Sequence, residues 1–335
     1  MSSDKYIGLD VHQSTISIAA LDSAGKLVME CTIETKAATI LQFIQGLRGN
    51  LYVTFEEGTS AAWLYDLLKP QVTKVVVCNP RKNALLKAGN KSDRIDARKL
   101  AELLRTGLLS PVYHGETSVR RLKELARSYL TTAKDLTRVM NRLKALYRSW
   151  AIPCAGQQVY ARHHRTEWLQ KLPETGVRRR AERLYLQLDL LQVLRREARQ
   201  ELLAESRKHR ATRVLREIPY LGPLRVAVLI ALLQTPHRFR TKRQLWAYSG
   251  LALETHTSAD YRFVHGQLQR SRQLPATRGL NDNHNHDLKN IFKSAATVAS
   301  THPGPFGDFY AALLAKGMKP SMPVSPWRAR SRRLP

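Results

Sequence analysis

Four carboxylates, Asp10, Glu57, Asp93 and Asp96, stand where a run of strands and helices would bring them together, in a chain of formal net charge +28. Carboxylates held that close repel one another unless a cation lies between them. A basic protein that keeps an acidic cluster therefore points to metal ions. Hard carboxylate oxygens suit Mg2+, with Mn2+ as a substitute, and two such ions can activate an attacking oxygen and stabilise a leaving one on a phosphodiester. The leading expectation is an enzyme that cuts nucleic acid. Taken singly, each acid has a plainer reading: Asp10 as a turn residue, and Asp93-x-x-Asp96 after Ser92 as a helix start favoured by the macrodipole. It is the four arriving together that favours a metal site.

The elements that would position them can be read from the pattern. Residues 5–10 (KYIGLD), 15–21 (TISIAAL) and 26–33 (KLVMECTI) are short and β-rich, which predicts a three-stranded meander. A helical pattern over 38–47, a strand at 51–55, a helix from about Ser60 to Leu68, a strand at 74–78 and a helix from about Ser92 to Arg105 follow. The order βββαβαβα is that of an α/β ribonuclease-H-like (RuvC-like) domain, an analogy that warrants shape before function. Asp10 then ends the first strand, Glu56 and Glu57 end the fourth, and Asp93 and Asp96 share one face of the last helix. Pattern alone leaves open which of Glu56 and Glu57 is the functional acid.

Beyond this lie two long amphipathic stretches, Thr117 to Trp150 and Val177 to Leu202, whose apolar positions step by three and four. Separated by a stretch containing Pro and Gly, they predict an antiparallel helical arm or a dimerising coiled coil. Arg178, Arg179, Arg180, Arg195 and Arg196 crowd its other faces, either as a solvated surface or as phosphate contacts. The second reading gains weight from 55 Lys+Arg against 27 Asp+Glu. In the C-terminal third, Ile218 to Ala227 (IPYLGPLRVA) has the form of a helix, a tight glycine turn at Gly222 and a second helix. A helix-hairpin-helix points such a turn's amides at a DNA phosphate, and ordinary helix packing explains the same residues. The polar stretch Thr255 to Tyr261, with Ser258, lacks strong periodicity, as a loop carrying a nucleophile would. Lys289 lies on a helix predicted from about Asn285 to Ser300.

The 335 residues, 43% hydrophobic, can form two or three domains with proper cores. Three scattered cysteines argue against a disulfide framework or a metal quartet, and so for a reducing compartment. The N-terminus lacks a secretory signature, and no apolar run approaches the length of a membrane span. A cytoplasmic, prokaryotic-style protein is the expectation.

The blocks Tyr6-Ile-Gly-Leu-Asp10-Val, Phe55-Glu-Glu57-Gly-Thr with Trp63, and above all Lys91-Ser-Asp93-Arg-Ile-Asp96-Ala-Arg98 resemble the DEDD transposases of the insertion-sequence-one-ten family. Ile218-Pro-x-x-Gly222, Tyr248-x-Gly250-Leu251 and the loop with Ser258 resemble the same family's C-terminal domain. By that resemblance Glu57 is the second acid. The resemblance implies an RuvC-like DEDD catalytic domain (1–110), a coiled-coil dimerisation arm (111–210) and a mainly α transposase domain with the serine loop (211–318). It further implies recombination of donor and target DNA, with Mg2+ on the four acids and a serine, Ser258 here, forming a covalent phosphoserine link. A structured non-coding bridge RNA would guide the reaction. The assembly would be a homodimer or homotetramer, nucleoid-associated, with composite sites drawing acids and serine from different subunits. Residues 319–335 depart from the family pattern: Pro320, Pro323, Pro326 and Pro335 cannot sit in a continuing helix. That tail reads as frameshifted or truncated, and puts the activity of this copy in question. Two rivals stay open, a RuvC-like nuclease or junction resolvase without a covalent intermediate and an inactive nucleic-acid-binding relic.

Overall fold

The computed structural model describes residues 4–83, 92–115, 117–256, 261–264, 266–270 and 276–317. The chain divides into two compact units, residues 1–114 and 115–335.

In the first unit the elements run β1 (Asp4–Val11), β2 (Thr15–Leu21), β3 (Leu27–Glu34), α1 (Ala37–Gln45), β4 (Asn50–Glu56), α2 (Ala61–Leu68), β5 (Lys74–Cys78), α3 (Pro80–Asn83) and α4 (Asp93–Arg105). Among the described residues only the four-residue α3 is added to the order expected from the sequence. The strands form one sheet in the order β3-β2-β1-β4-β5. The meander is antiparallel, while β4 and β5 join parallel to β1. Strand alternation sorts the two faces. Ile7, Leu9, Val53 and Phe55 point into a core with Ile40 and Ile44 of α1 and Leu64 and Leu68 of α2. Gly8 faces the other way, against α4.

That contact is unusually close. A methyl group on Gly8 would overlap the carbonyl of Ala97 and the amide nitrogen of Ala101, so backbone lies directly on backbone. Ala97, Leu100 and Ala101 are fully buried along the same side of α4. Gly8→Ala must push the helix off the sheet, and a loss of about 1–3 kcal/mol is expected from such overpacking. Chemical denaturation of the two proteins would measure it; equal midpoints would mean that α4 does not rest on Gly8.

In the second unit α5 (Thr117–Ser149) and α7 (Thr175–Ser206) are the two long helices, with two 3-10 turns and α6 (Arg165–Gln170) between them. Their cores show the pairing to be antiparallel. The C-terminal part of α5 (Leu136, Leu143, Tyr147) packs with the N-terminal part of α7 (Ala181, Leu184, Leu188). Leu122 and Ala126, near the start of α5, pack with Leu202 near the end of α7. Arg165 grips Asp189 with two hydrogen bonds of 2.7 and 2.6 Å, a bidentate pair that holds the Asp189 carboxyl below its usual range.

Then follow α8 (Arg210–Arg216), α9 (Pro223–Leu233), α10 (Lys242–Tyr248), β6 (Leu253–His256), β7 (Tyr261–Val264), β8 (Gln267–Arg270), β9 (Ala276–Leu280), α11 (His286–Thr301) and α12 (Pro305–Ala315). Both ends of the stretch read as a polar loop belong to strands. Thr255 and His256 belong to β6, which pairs with β9, and Tyr261 opens β7, which pairs with β8. The glycine turn also differs in detail, because the left-handed residue between α8 and α9 is Tyr220 (φ 67°) and Gly222 is extended. Arg225 braces that turn by donating to the Tyr220 carbonyl at 2.9 Å. The three cysteines are free thiols. Among the described residues no helix is long and apolar enough to cross a membrane.

Candidate metal centre at the ends of β1 and α4

β1 carries Asp10 one residue before its end, on the Gly8 side of the sheet. The chain then turns tightly, with the His12 amide donating to the Thr15 carbonyl at 2.9 Å and the Thr35 hydroxyl donating to the His12 carbonyl at 3.0 Å. This turn fixes His12 beside the strand end. On α4, Ser92 caps the helix by accepting from the Ile95 amide at 3.3 Å, which starts the helix at Asp93. Farther along, Arg98 donates to both oxygens of Glu30 on β3 at 2.6 and 2.8 Å. The hydrogen bond and then the guanidinium charge hold the Glu30 carboxyl below the usual carboxylate range. Together with the Gly8 seam, that ion pair sets the height of the helix above the sheet.

The result is a cluster of Asp10, His12 and Asp93, whose ligand atoms lie within 4.8 Å of one another. His12 Nε2 stands between the acids, 3.3 Å from Asp10 Oδ2 and 3.6 Å from Asp93 Oδ1. Asp10 is the more enclosed acid, its side chain 19% exposed against 62% for Asp93. Two carboxylates and an imidazole suit a hard divalent cation such as Mg2+ or Mn2+, with the imidazole widening the choice to softer ions. The residues present therefore fit a metal of that class.

The structure places the other two acids around this cluster and outside it. Asp96 lies one turn along α4, its amide bonded to the Ser92 carbonyl at 2.8 Å and one carboxylate oxygen fully buried. Glu57 follows β4, with its amide donating to the Cys78 carbonyl at 2.9 Å. Its carboxylate meets His114 Nε2 at 2.7 Å, and the His114 ring stacks on Tyr65 with centroids 5.0 Å apart. His114 arrives there because the chain after α4 returns alongside β5: the Asn79 amide donates to Ser110, and the Val112 amide to Val77. Glu56, the alternative acid, closes β4 in register with Cys78.

Sequence reading missed both histidines. His12 sits two residues from Asp10, and its nearness was there to be used. His114 lies 57 residues from Glu57 and carries no local signal.

Of the remaining candidate residues, Arg179, Arg180, Arg195 and Arg196 are exposed on α7. Arg178 donates its Nε to the Leu172 carbonyl at 2.7 Å, so it helps to seat the start of that helix. Gly222 caps α9 with open space where a side chain would be. Lys289 lies half-buried on α11. Ser258 and the tail 319–335 lie outside the described residues. The Asn281 side chain donates to the Ala247 carbonyl at 3.1 Å, and the Asn285 amide donates to the Tyr248 carbonyl at 2.9 Å, tying β9 and α11 to the end of α10.

Comparison with known proteins bears on the whole arrangement. A family model described as Transposase, of the DEDD type, matches residues 7–150, and one described as Transposase IS116/IS110/IS902 family matches residues 212–311. The transposase for insertion sequence element IS1533 of Leptospira borgpetersenii is 30% identical over 148 residues, which cover 41% of this chain and 42% of that protein. The transposase for insertion sequence element IS1111A of Coxiella burnetii (strain RSA 493 / Nine Mile phase I) is 21% identical over 287 residues, covering 83% of this chain and 76% of that protein. The alignment thus spans less than half the length of the first relative and about three quarters of the second. With the two models falling in order on an α/β unit that bears the acids and on the helical region beyond it, the chain belongs to the IS116/IS110/IS902 family of transposases.

Proposed function

We propose that this chain is the DNA recombinase of an insertion sequence, cutting and rejoining strands by phosphodiester transesterification under the guidance of a structured non-coding RNA. The observation that carries the reading is the Asp10, His12 and Asp93 cluster, set at one end of a mixed sheet in a chain of net charge +28 that belongs to a transposase family. Asp10, Asp93, Asp96 and Glu57 would hold Mg2+ or Mn2+ in a RuvC-like domain. When bound, such ions polarise the phosphate and stabilise the charge that develops on the oxygens of the transfer.

The chain's own residues have separable tasks. Asp10 and Asp93 supply the enclosed and the exposed sides of the cluster, and His12 orients both. His114 holds the Glu57 carboxylate by a hydrogen bond and is itself held by Tyr65. Ser258 is the nucleophile whose attack links protein to DNA. The helical hairpin of α5 and α7 serves as a coiled-coil arm of a homodimer or homotetramer. Its exposed arginines, the turn at Gly222 as a helix-hairpin-helix element, and Lys289 contact phosphates of donor DNA, target DNA and RNA. Incubating the purified protein with element-end DNA, transcribed flanking RNA and Mg2+ tests this directly. Strand exchange that requires all three is the expected outcome, and simple hydrolysis without RNA would identify a nuclease instead.

Phosphate recognition carries its own prediction. Binding to DNA or RNA should weaken by about 10³-fold or more between roughly 50 and 200 mM salt, because several phosphate contacts release counterions together. Charge reversal at Arg180, Arg195 and Arg196 should reduce affinity for unrelated sequences about equally and flatten the salt dependence. Fluorescence anisotropy across a salt series reads both effects. An affinity indifferent to salt would remove phosphate contacts as the basis of binding.

A further inference from the structure

α7 has two apolar faces, and the cores described above account for one of them. Ala181, Leu184, Leu188, Ala198 and Leu202 are buried against the rest of the second unit. On the opposite side Leu186, Leu190, Val193 and Leu194 are 69, 60, 39 and 41% exposed. An isolated exposed leucine is ordinary, but a run at helical spacing on one face is a patch that water disfavours. The run continues at both ends with charge. Arg179 and Arg183 precede it and Glu197 and Glu201 follow it, on the same side and all exposed. Positions 179, 183, 186, 190, 194, 197 and 201 follow one another by four, three, four, four, three and four residues, which keeps them in one stripe along the helix, as a seam between two helices requires.

The charges are arranged in an informative way. Arg179 and Arg183 lie four apart, as do Glu197 and Glu201, so each pair sets like charges on neighbouring turns, which an isolated helix disfavours. None of the four has an ion-pair partner among the described residues. Laying a second α7 antiparallel with a two-fold axis at Leu190 resolves all of this at once. Leu190 then meets its own copy, Leu186 meets Leu194, Arg183 meets Glu197 and Arg179 meets Glu201, each pairing occurring twice. A parallel, in-register partner would instead set arginine against arginine and glutamate against glutamate.

We infer that the exposed face of α7 is the interface with a second copy of this chain, an antiparallel helix pair centred on Leu190. The seam is about 33 Å long at the rise of an α-helix. Its apolar middle supplies the adhesion, and its ends set direction and register. Placing Arg179 in the seam leaves Arg180, Arg195 and Arg196 on other faces, available to phosphates. The inference takes up the homo-oligomer of the proposed function and gives it a surface. It rests on that part of the reading alone.

Sedimentation of the full-length chain, freed of nucleic acid and examined across the micromolar range, tests it by mass rather than by activity, so its outcome is separate from whether strands are exchanged. Leu190→Glu should halve the mass of the assembly without changing the circular dichroism, since the position is exposed. Arg183→Glu should weaken association about tenfold or more, and Arg183→Glu with Glu197→Arg should restore it, because the swap rebuilds the pair with its sign inverted. A wild-type chain that stays monomeric throughout would overturn the inference. So would an assembly that survives Leu190→Glu, or a charge swap that fails to restore what the single reversal lost.

Discussion

Asp10→Asn is expected to reduce strand transfer by on the order of 10³-fold and to weaken Mg2+ or Mn2+ binding sharply, with little change in the stability of the metal-free protein. The size follows from position. Asp10 is the enclosed member of the cluster, and it is fixed by a strand whose neighbours on both sides are in register. Losing its charge leaves one neutral amide oxygen in place of a carboxylate, a much weaker ligand for a hard cation. Asp93 is three times as exposed, and a cation there can keep more of its water, so Asp93→Asn should cost less. Stability should hold because removing one of several neighbouring carboxylates relieves repulsion. Calorimetric titration of single amide variants of Asp10, Glu57, Asp93 and Asp96 reads the first effect and thermal unfolding the second. Unchanged metal affinity in all four would eliminate the metal centre.

Ser258→Ala carries the second large effect: complete loss of the covalent protein–DNA species, at unchanged DNA affinity. In the proposed step the serine oxygen bonds to phosphorus, a phosphorus–oxygen bond of the DNA backbone breaks, and the serine proton is matched by one taken up on the departing sugar oxygen. Bond energy is conserved in the phosphoserine for rejoining. Alanine removes the only atom that could form that bond. Denaturing electrophoresis of labelled DNA detects the adduct, and an adduct persisting in Ser258→Ala would assign the attack elsewhere. If acids and serine come from different subunits, mixing Asp10→Asn with Ser258→Ala protein should recover part of the activity that each lacks. Two inactive variants that stay inactive together would place both groups in one chain.

Much of the α/β unit was legible because its strands obey a simple rule. KYIGLD and TISIAAL alternate or run apolar in a way only a half-covered or fully covered strand requires, and Ser92 marks the start of α4 by its capping chemistry. The cluster itself was legible only in part. Asp10 and Asp93 could be paired by topology, but His12 falls between two expected strands without a pattern of its own, and nothing near Glu57 in the sequence announces His114. Such contacts depend on where the segment after α4 returns, which no periodicity encodes. The short strands β6 to β9 were missed for a related reason. LETH, QLQR and ATRGL are too polar and too brief to alternate, and they are strands because LETH pairs with ATRGL and QLQR pairs with YRFV. Likewise the positive φ at Tyr220 is imposed by the Arg225 brace and by packing against His302, with ring centroids 5.4 Å apart, whereas sequence alone would assign it to the glycine two residues on.

The seam between Gly8 and α4 has a meaning beyond stability. Where side chains separate a helix from a sheet, the gap varies with their sizes and gives a little under load. Here main chain touches main chain, so the gap is set by the thickness of a peptide for as long as position 8 carries no side chain. Asp10 is two residues from one side of that contact and Asp93 one turn from the other. Position 8 is thus a fixed gauge, against which the spacing between a strand-borne and a helix-borne oxygen is measured.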